Sequence, residues 1–239
     1  MTEVKRRRTG QSSKVRYTLS MNVEVKILVP ESDWTRLRDA AELGESKVRW
    51  IWFFDTAERA LGADGVILRL RSGEKEGDTT AKLRGHPLAP DVVALLDEEG
   101  GLKVENDCTE DACTLAFSIT REDASLSGDL TGWAWPPPRE LFSRRQRALA
   151  ALGGRAVPWD EVARLGPITS HTWKKKDLGL TVERWTVGAA SIVEVSMRGE
   201  TGPEEPLSNL RTRLGAWGVS TLGLPGGKTR WALDRLVGS

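Results

Sequence analysis

The chain has 239 residues, enough for one large domain with a substantial core or at most two small ones. Its 35 basic and 34 acidic residues leave a net charge of +1, so there is no global bias toward nucleic acid or a membrane surface, and any anion site must come from local segregation of charge. No apolar run approaches membrane-spanning length and the N-terminus lacks the apolar core of a signal peptide, so a cytoplasmic location with no membrane and no nucleic-acid partner is expected.

Residues 1–18 read as a disordered polar tail carrying Lys5-Arg6-Arg7-Arg8, and residues 19–236 as a single domain. A first strand spans about 20–28. Alternation puts Asn22, Glu24 and Lys26 on one face and Val23, Val25 and Ile27 on the other. Taken alone, this is the pattern of any half-solvated antiparallel strand. A helix follows Pro30, with Ser32 and Asp33 as caps, Trp34, Leu37, Ala40 and Ala41 on its apolar face and Gly44 as its stop. Residues 47–54 are β-rich, Asp55-Thr56 turns the chain, and a short helical piece covers 57–61.

Strands 66–72 and 79–84 flank a polar turn and form a hairpin. It presents Arg69, Arg71, Lys82 and Arg84 with no acid among them, an arrangement in which like charges repel across a sheet. A purely structural sheet has little reason to accept it unless solvent screens the charges. Pro90 opens a helix that ends at Gly100-Gly101, and strands 102–108 and 113–120 follow. Lys103, Glu105 and Asp107 share one face of the former, and Ser118 and Thr120 one face of the latter. Cys108 and Cys113 flank the intervening loop and could face each other across it. With no secretory signal, reduced thiols are expected. Neither a CxxC spacing nor a histidine-rich site is present, which leaves oxygen-ligand metals such as Mg²⁺ or Mn²⁺, if there is a metal at all.

Residues 123–132 read as irregular or a short helix, 133–138 as a rigid Trp- and Pro-rich connection, 139–152 as a helix and 158–165 as a short helix. Strands 168–175 and 178–186 flank a turn at Lys176-Asp177. The second places Thr181, Glu183 and Trp185 together. Either Lys174 and Lys176 or Lys175 share the inward face of the first, unless the lysine run is a solvated turn. Strand 190–198 places Glu194, Ser196 and Arg198 on one face, and a helix over 204–217 buries Leu207, Leu210, Leu214 and Trp217.

About eight strands, most with one apolar and one charged face, predict an α+β fold: an eight-stranded antiparallel β-barrel with helices packed outside. Apolar strand faces would point outward under the helices, and the charged faces would line a tunnel. Burying Arg69, Arg71, Lys82 and Arg84 without partners is prohibitively costly, so such a lumen needs water, an anion, or both. Arg and Lys donors match phosphoryl oxygens, and a divalent metal would reconcile a phosphate chain with nearby carboxylates.

The motifs themselves resemble a family. Asn22-x-Glu24-x-Lys26 is similar to the ExExK signature of the CYTH superfamily, the triphosphate tunnel metalloenzymes. Phe54-Asp55-Thr56 with the Gly65–Arg71 run resembles its FDT…LRLR segment, Ala81–Gly85 its TxKxR strand, Glu194-Val195-Ser196 its late ExE strand, and Lys228-Thr229-Arg230 its closing basic element. The order agrees over about residues 20–235. The resemblance implies a tunnel that binds triphosphate groups with Mg²⁺ or Mn²⁺. It implies triphosphate-binding roles for Lys26, Arg69, Arg71, Lys82, Arg84, Lys228 and Arg230, metal roles for Glu24, Glu194 and Glu183, and catalytic roles for Lys26 and Glu24. Asn22 and Ser196 depart from it, each standing where the family has a Glu. The implied activity is metal-dependent hydrolysis of tripolyphosphate or of an organic triphosphate such as a nucleotide or thiamine triphosphate. The alternatives are a class IV-type adenylate cyclase and a polyphosphate-binding module without turnover. The partner expected is a small anionic phosphate-chain ligand, and a homodimer is left open.

Overall fold

The computed structural model describes residues 22–200, 202–224 and 226–236, so the basic tail lies outside the described residues. Among the described residues nine strands close into one barrel. In chain order they are β1 (Asn22–Val29), β2 (Lys47–Asp55), β3 (Val66–Gly73), β4 (Gly77–Arg84), β5 (Leu102–Cys108), β6 (Cys113–Glu122), β7 (Ala163–Lys175), β8 (Leu180–Val187) and β9 (Ala190–Gly199). Around the barrel they run β1-β5-β6-β4-β3-β2-β7-β8-β9, and β9 returns antiparallel to β1. The barrel is therefore mixed rather than fully antiparallel. β1 and β5 pair in parallel, with Glu24 beside Asp107. A parallel pair needs a long crossover, and here everything between β1 and β5 supplies it.

The helices are α1 (Trp34–Ala40), α2 (Ala60–Ala63), α3 (Pro90–Asp97), α4 (Pro138–Leu141), α5 (Arg144–Ala150), α6 (Glu204–Ala216) and α7 (Gly227–Leu236). Apolar strand faces do point outward. Val23, Val25, Ile27, Val182, Val193 and Val195 pack with Leu37 of α1 and with Leu210 and Leu214 of α6. On another side Leu68, Leu70, Leu83 and Phe117 pack with Leu141, Phe142 and Leu149. Each fully buried aliphatic side chain of this kind contributes about 1.5–3 kcal/mol over leaving it in water.

A third apolar cluster lies inside the barrel. Leu28, Phe53, Trp185 and Ile192, on the inward faces of their strands, pack with Ala232 and Leu233 of α7. That helix contacts β7, β8 and β9 and closes one end of the lumen.

Several local expectations change. Neither Ser32 nor Asp33 caps α1. The Asp33 carboxylate instead accepts the Ser220 N–H at 2.7 Å and pairs with Arg36, tying α1 to the segment after α6. The helix expected over 139–152 is broken at Phe142, which is extended. Ser143 and Gln146 then form a reciprocal capping box that starts α5. The short helix expected over 158–165 is a turn that leads into β7, where Leu165 and Arg164 already pair with Phe53 and Phe54. The cysteines, expected to be reduced, are cross-strand partners joined by a disulfide. No helix among the described residues is long and apolar enough to cross a membrane.

Candidate functional site

The barrel encloses a cavity of about 750 Å³. Among the described residues eleven basic side chains line it against seven acidic ones, and Glu76 and Asp78, just outside the lining, pair with three of the eleven. Strand alternation delivers them: Glu24 and Lys26 from β1, Arg69 and Arg71 from β3, Lys82 and Arg84 from β4, Glu183 from β8 and Glu194 from β9 all face the lumen. Of the residues expected at the site, only Arg230 is absent from this lining. The closing basic element is helical, so residues two apart lie about 200° apart around its axis. Lys228 therefore enters the lumen and Arg230 stands exposed.

The FDT motif is structural. The buried Asp55 carboxylate accepts backbone N–H bonds from Thr56, Leu61 and Gly62, which holds the turn into α2 just before β3. Gly65 follows with φ 73°, and a Cβ there would stand 2.3 Å from the Arg84 carbonyl oxygen. Only glycine lets β3 start so close to the end of β4.

The hairpin of four basic residues is not free of acid. Asp78 falls within β4 on the same face as Lys82, and both its carboxylate oxygens accept from Arg71 Nε at 3.0–3.1 Å. Asp107 is the hub of the next group. Lys26 donates to one of its oxygens, while Lys82 (2.7 Å) and Arg84 (2.5 Å) donate to the other. Glu105 accepts from Lys82 at 3.0 Å and pairs with Lys103. Although burial opposes it, the charges of Lys26, Arg84 and Lys82 hold the Asp107 carboxyl far below the usual range. Burial also works against the Lys26 ammonium, but Glu194, Glu24 and Asp107 outweigh it and raise its pKa well above the ordinary lysine value.

Across the lumen, Lys228 Nζ bonds both Glu183 and Glu194 Oε1 (2.8 Å) and lies 4.6 Å from the centre of the Trp185 ring. Burial pushes Lys228 well below its ordinary pKa, helped by the like charge of Lys26. Burial also raises Glu194 to about 7. Lys26 counters this, and the Glu24 and Asp107 charges add to it.

Arg69 differs from the other lumen cations that are withdrawn from solvent. Its Nε is buried with no hydrogen-bond partner, and among the described residues no carboxylate pairs with it. Burial and the neighbouring Arg71, Arg84 and Arg49 charges lower its pKa to about 9, with Asp78 opposing. The Arg84 Nε is likewise buried and unpartnered. A half-buried guanidinium facing other guanidinium groups is the chemistry of a site that awaits an anion.

Lys103, Glu105, Asp107 and Lys174 line the cavity, whereas Lys175 reaches toward the Glu42 carbonyl and Asp177. Lys47 and Arg49 of β2 also line it and share Glu76. Their alternate spacing with the inward Phe53 was the signal that could have identified them, but aromatic bulk on both faces of that run obscured it.

The carboxylates do not fit a resident divalent metal. Such an ion wants several free oxygen ligands, yet Glu183 and Glu194 share Lys228, Glu24 lies 3.0 Å from Lys26, and Asp107 holds three cations. Among the described residues no three His, Cys, Asp or Glu side chains gather to hold one ion. Asn22 is exposed and outside the cavity lining, and Ser196 lines the cavity without a charge.

No family model and no curated protein matches the sequence. Two solved structures share the architecture over nearly their whole length. A candidate adenylate cyclase from Bacillus halodurans is 19% identical, with a TM-score of 0.59 over 88% of this chain and 97% of its own. A candidate adenylyl cyclase from Hippeastrum, for which a dominant triphosphatase activity is described, is 18% identical, with a TM-score of 0.60 over 90% of this chain and 96% of its own. At these identities the likeness is one of fold.

Proposed function

We propose that this chain, which has a tunnel barrel of the CYTH type, binds a linear triphosphate in its lumen and hydrolyses the terminal phosphoryl group. The observation that carries the reading is the buried, unpartnered Arg69 Nε among Arg49, Arg71 and Arg84. Bidentate guanidinium groups suit phosphoryl oxygens, and they would hold the chain extended along β3 and β4. With second ionisations near pH 6, three linked phosphoryl groups carry roughly four to five negative charges at neutral pH. The lumen, positive by two even with Glu76 and Asp78 counted against the cations they pair with, is of the opposite sign.

Hydrolysis of such a chain is mainly positioning and charge neutralisation. Arg69, Arg71 and Arg84 would offset charge developing on the leaving diphosphate. Lys26 would bind the terminal group. Glu24, whose one cationic partner is Lys26 at 3.0 Å, is the carboxylate best placed to take the proton of an attacking water. Both are the residues expected to be catalytic. Phosphate release from tripolyphosphate, ATP and thiamine triphosphate tests the proposal, and turnover on one of them, lost in Arg69→Met and Glu24→Gln, is expected. Cyclic nucleotide with pyrophosphate as the products from ATP would assign the cyclase reaction instead.

A second reading, capture of the phosphate chain without turnover, is favoured by the engagement of Glu183, Glu194 and Asp107 with lysines and an arginine. It predicts saturable tripolyphosphate binding with no product from any of the three substrates.

A further inference from the structure

We propose that the Lys228 ammonium takes the place of a resident divalent ion in this barrel, so that the phosphate chain is bound without metal. The inference rests on the lumen being the phosphate-chain site. Glu183 and Glu194 face each other across β8 and β9, and Lys228 Nζ bonds both. This is a cation held between two carboxylates, delivered by the chain itself. Its helix seats it there: Ala232, one turn further along α7, is buried in the floor cluster with Leu233. The indole face of Trp185 supports the ammonium from the side.

Two consequences oppose a metal at this place. An ion binding Glu183 and Glu194 must expel Lys228, which is buried and would then be an unpaired charge in the barrel interior. The positions that would enlarge the acid set are Asn22, which is exposed, and Ser196, which is uncharged. Mg²⁺ takes waters, substrate phosphates and one or two carboxylates as its octahedron, and the two carboxylates placed to serve, Glu183 and Glu194, are both occupied by Lys228. The lining is also positive without a metal, by two charges once Glu76 and Asp78, which pair with three of its cations, are counted.

Titration calorimetry of inorganic tripolyphosphate into the full chain, in EDTA and in excess Mg²⁺, tests this. The expected dissociation constants agree within about threefold once Mg²⁺ complexation of the free ligand is allowed for. Binding at least tenfold weaker in EDTA overturns the inference while leaving the ligand reading intact. Absence of binding in both buffers refutes the ligand reading itself. Mn²⁺ titrated into the ligand-free chain then still decides the role of the lysine, with no saturable uptake expected and stoichiometric uptake refuting it. Lys228→Met and Lys228→Gln, checked for native circular dichroism, leave the two glutamates unneutralised. Both should lose at least tenfold in tripolyphosphate affinity in EDTA and recover it with Mn²⁺, with one Mn²⁺ taken up per chain. Variants that bind equally in both buffers and take up no Mn²⁺ would show that Lys228 does not stand in for the ion.

Discussion

Asp107→Asn is the sharpest probe of the lumen, because one carboxylate there anchors three cations. The amide keeps the shape and removes the charge. Lys26, Lys82 and Arg84 would then crowd one another, with Glu24, Glu105 and the nearby Glu194 charge left to offset them. All four groups are less than a third exposed, and Asp107 itself is only 7% exposed, so solvent screening is limited. Removing one partner of a buried ion pair typically costs about 3–5 kcal/mol. In a domain of this size each kcal/mol moves Tm by about 2–4 °C, so a fall of about 10 °C is expected. The variant lumen is also one charge more positive. Tripolyphosphate should therefore raise Tm more in Asp107→Asn than in the parent chain, by at least about 2 °C, as the ligand supplies the lost anion. Differential scanning fluorimetry with and without the ligand measures both quantities. A Tm loss below about 2 °C, or equal ligand shifts in the two proteins, would refute the reasoning.

Arg69→Met should separate stability from binding. Removing a half-buried cation with no carboxylate partner should leave the protein as stable or about 1 kcal/mol more stable, while calorimetry shows tripolyphosphate affinity falling at least tenfold. A destabilised variant would mean that Arg69 has a protein partner after all. Glu194 makes stability fall as pH rises. Its folded pKa of about 7 lies above the unfolded value near 4.3, so the folded state holds more protons between those limits. Its contribution is complete below about pH 4.3 and is lost on the way to pH 7, by up to about 3 kcal/mol. Denaturant unfolding across that range should show a flatter profile in Glu194→Gln, and an unchanged slope would count against the shift. Reducing the Cys108–Cys113 disulfide opens a loop of sequence separation 5, worth about 2 kcal/mol on chain entropy. A Tm fall of roughly 4–8 °C in reductant is expected, and no fall would mean that the β5–β6 pairing alone sets the geometry.

Alternation along the strands was legible because it is local. A period of two in β1, β3, β4, β8 and β9 forces Glu24 and Lys26, Arg69 and Arg71, Lys82 and Arg84, Glu183 and Trp185, and Glu194 and Ser196 each to one face of their own strand, whatever the rest of the chain does. The outward apolar faces and the amphipathic α6 followed in the same way, and together they imply a barrel with a charged interior. The strand count fell one short, and an all-antiparallel sheet was assumed, because pairing order is not encoded within any single strand.

Which charge meets which is a matter of long-range contact. Lys26 and Asp107 are 81 residues apart and bond because β1 lies parallel to β5 in one register. Lys228 reaches Glu183 and Glu194 because α7 returns to plug the barrel, and its helical twist sends Arg230 to solvent. Asp78 became the partner of Arg71 once β4 proved to begin at Gly77. A side chain's charge and the face it occupies are properties of short sequence, whereas an ion pair is a property of distance between remote segments. Distance is set by sheet register and closure, which is why the sequence by itself could predict a charged lumen and not the leftover, unpaired Arg69 within it.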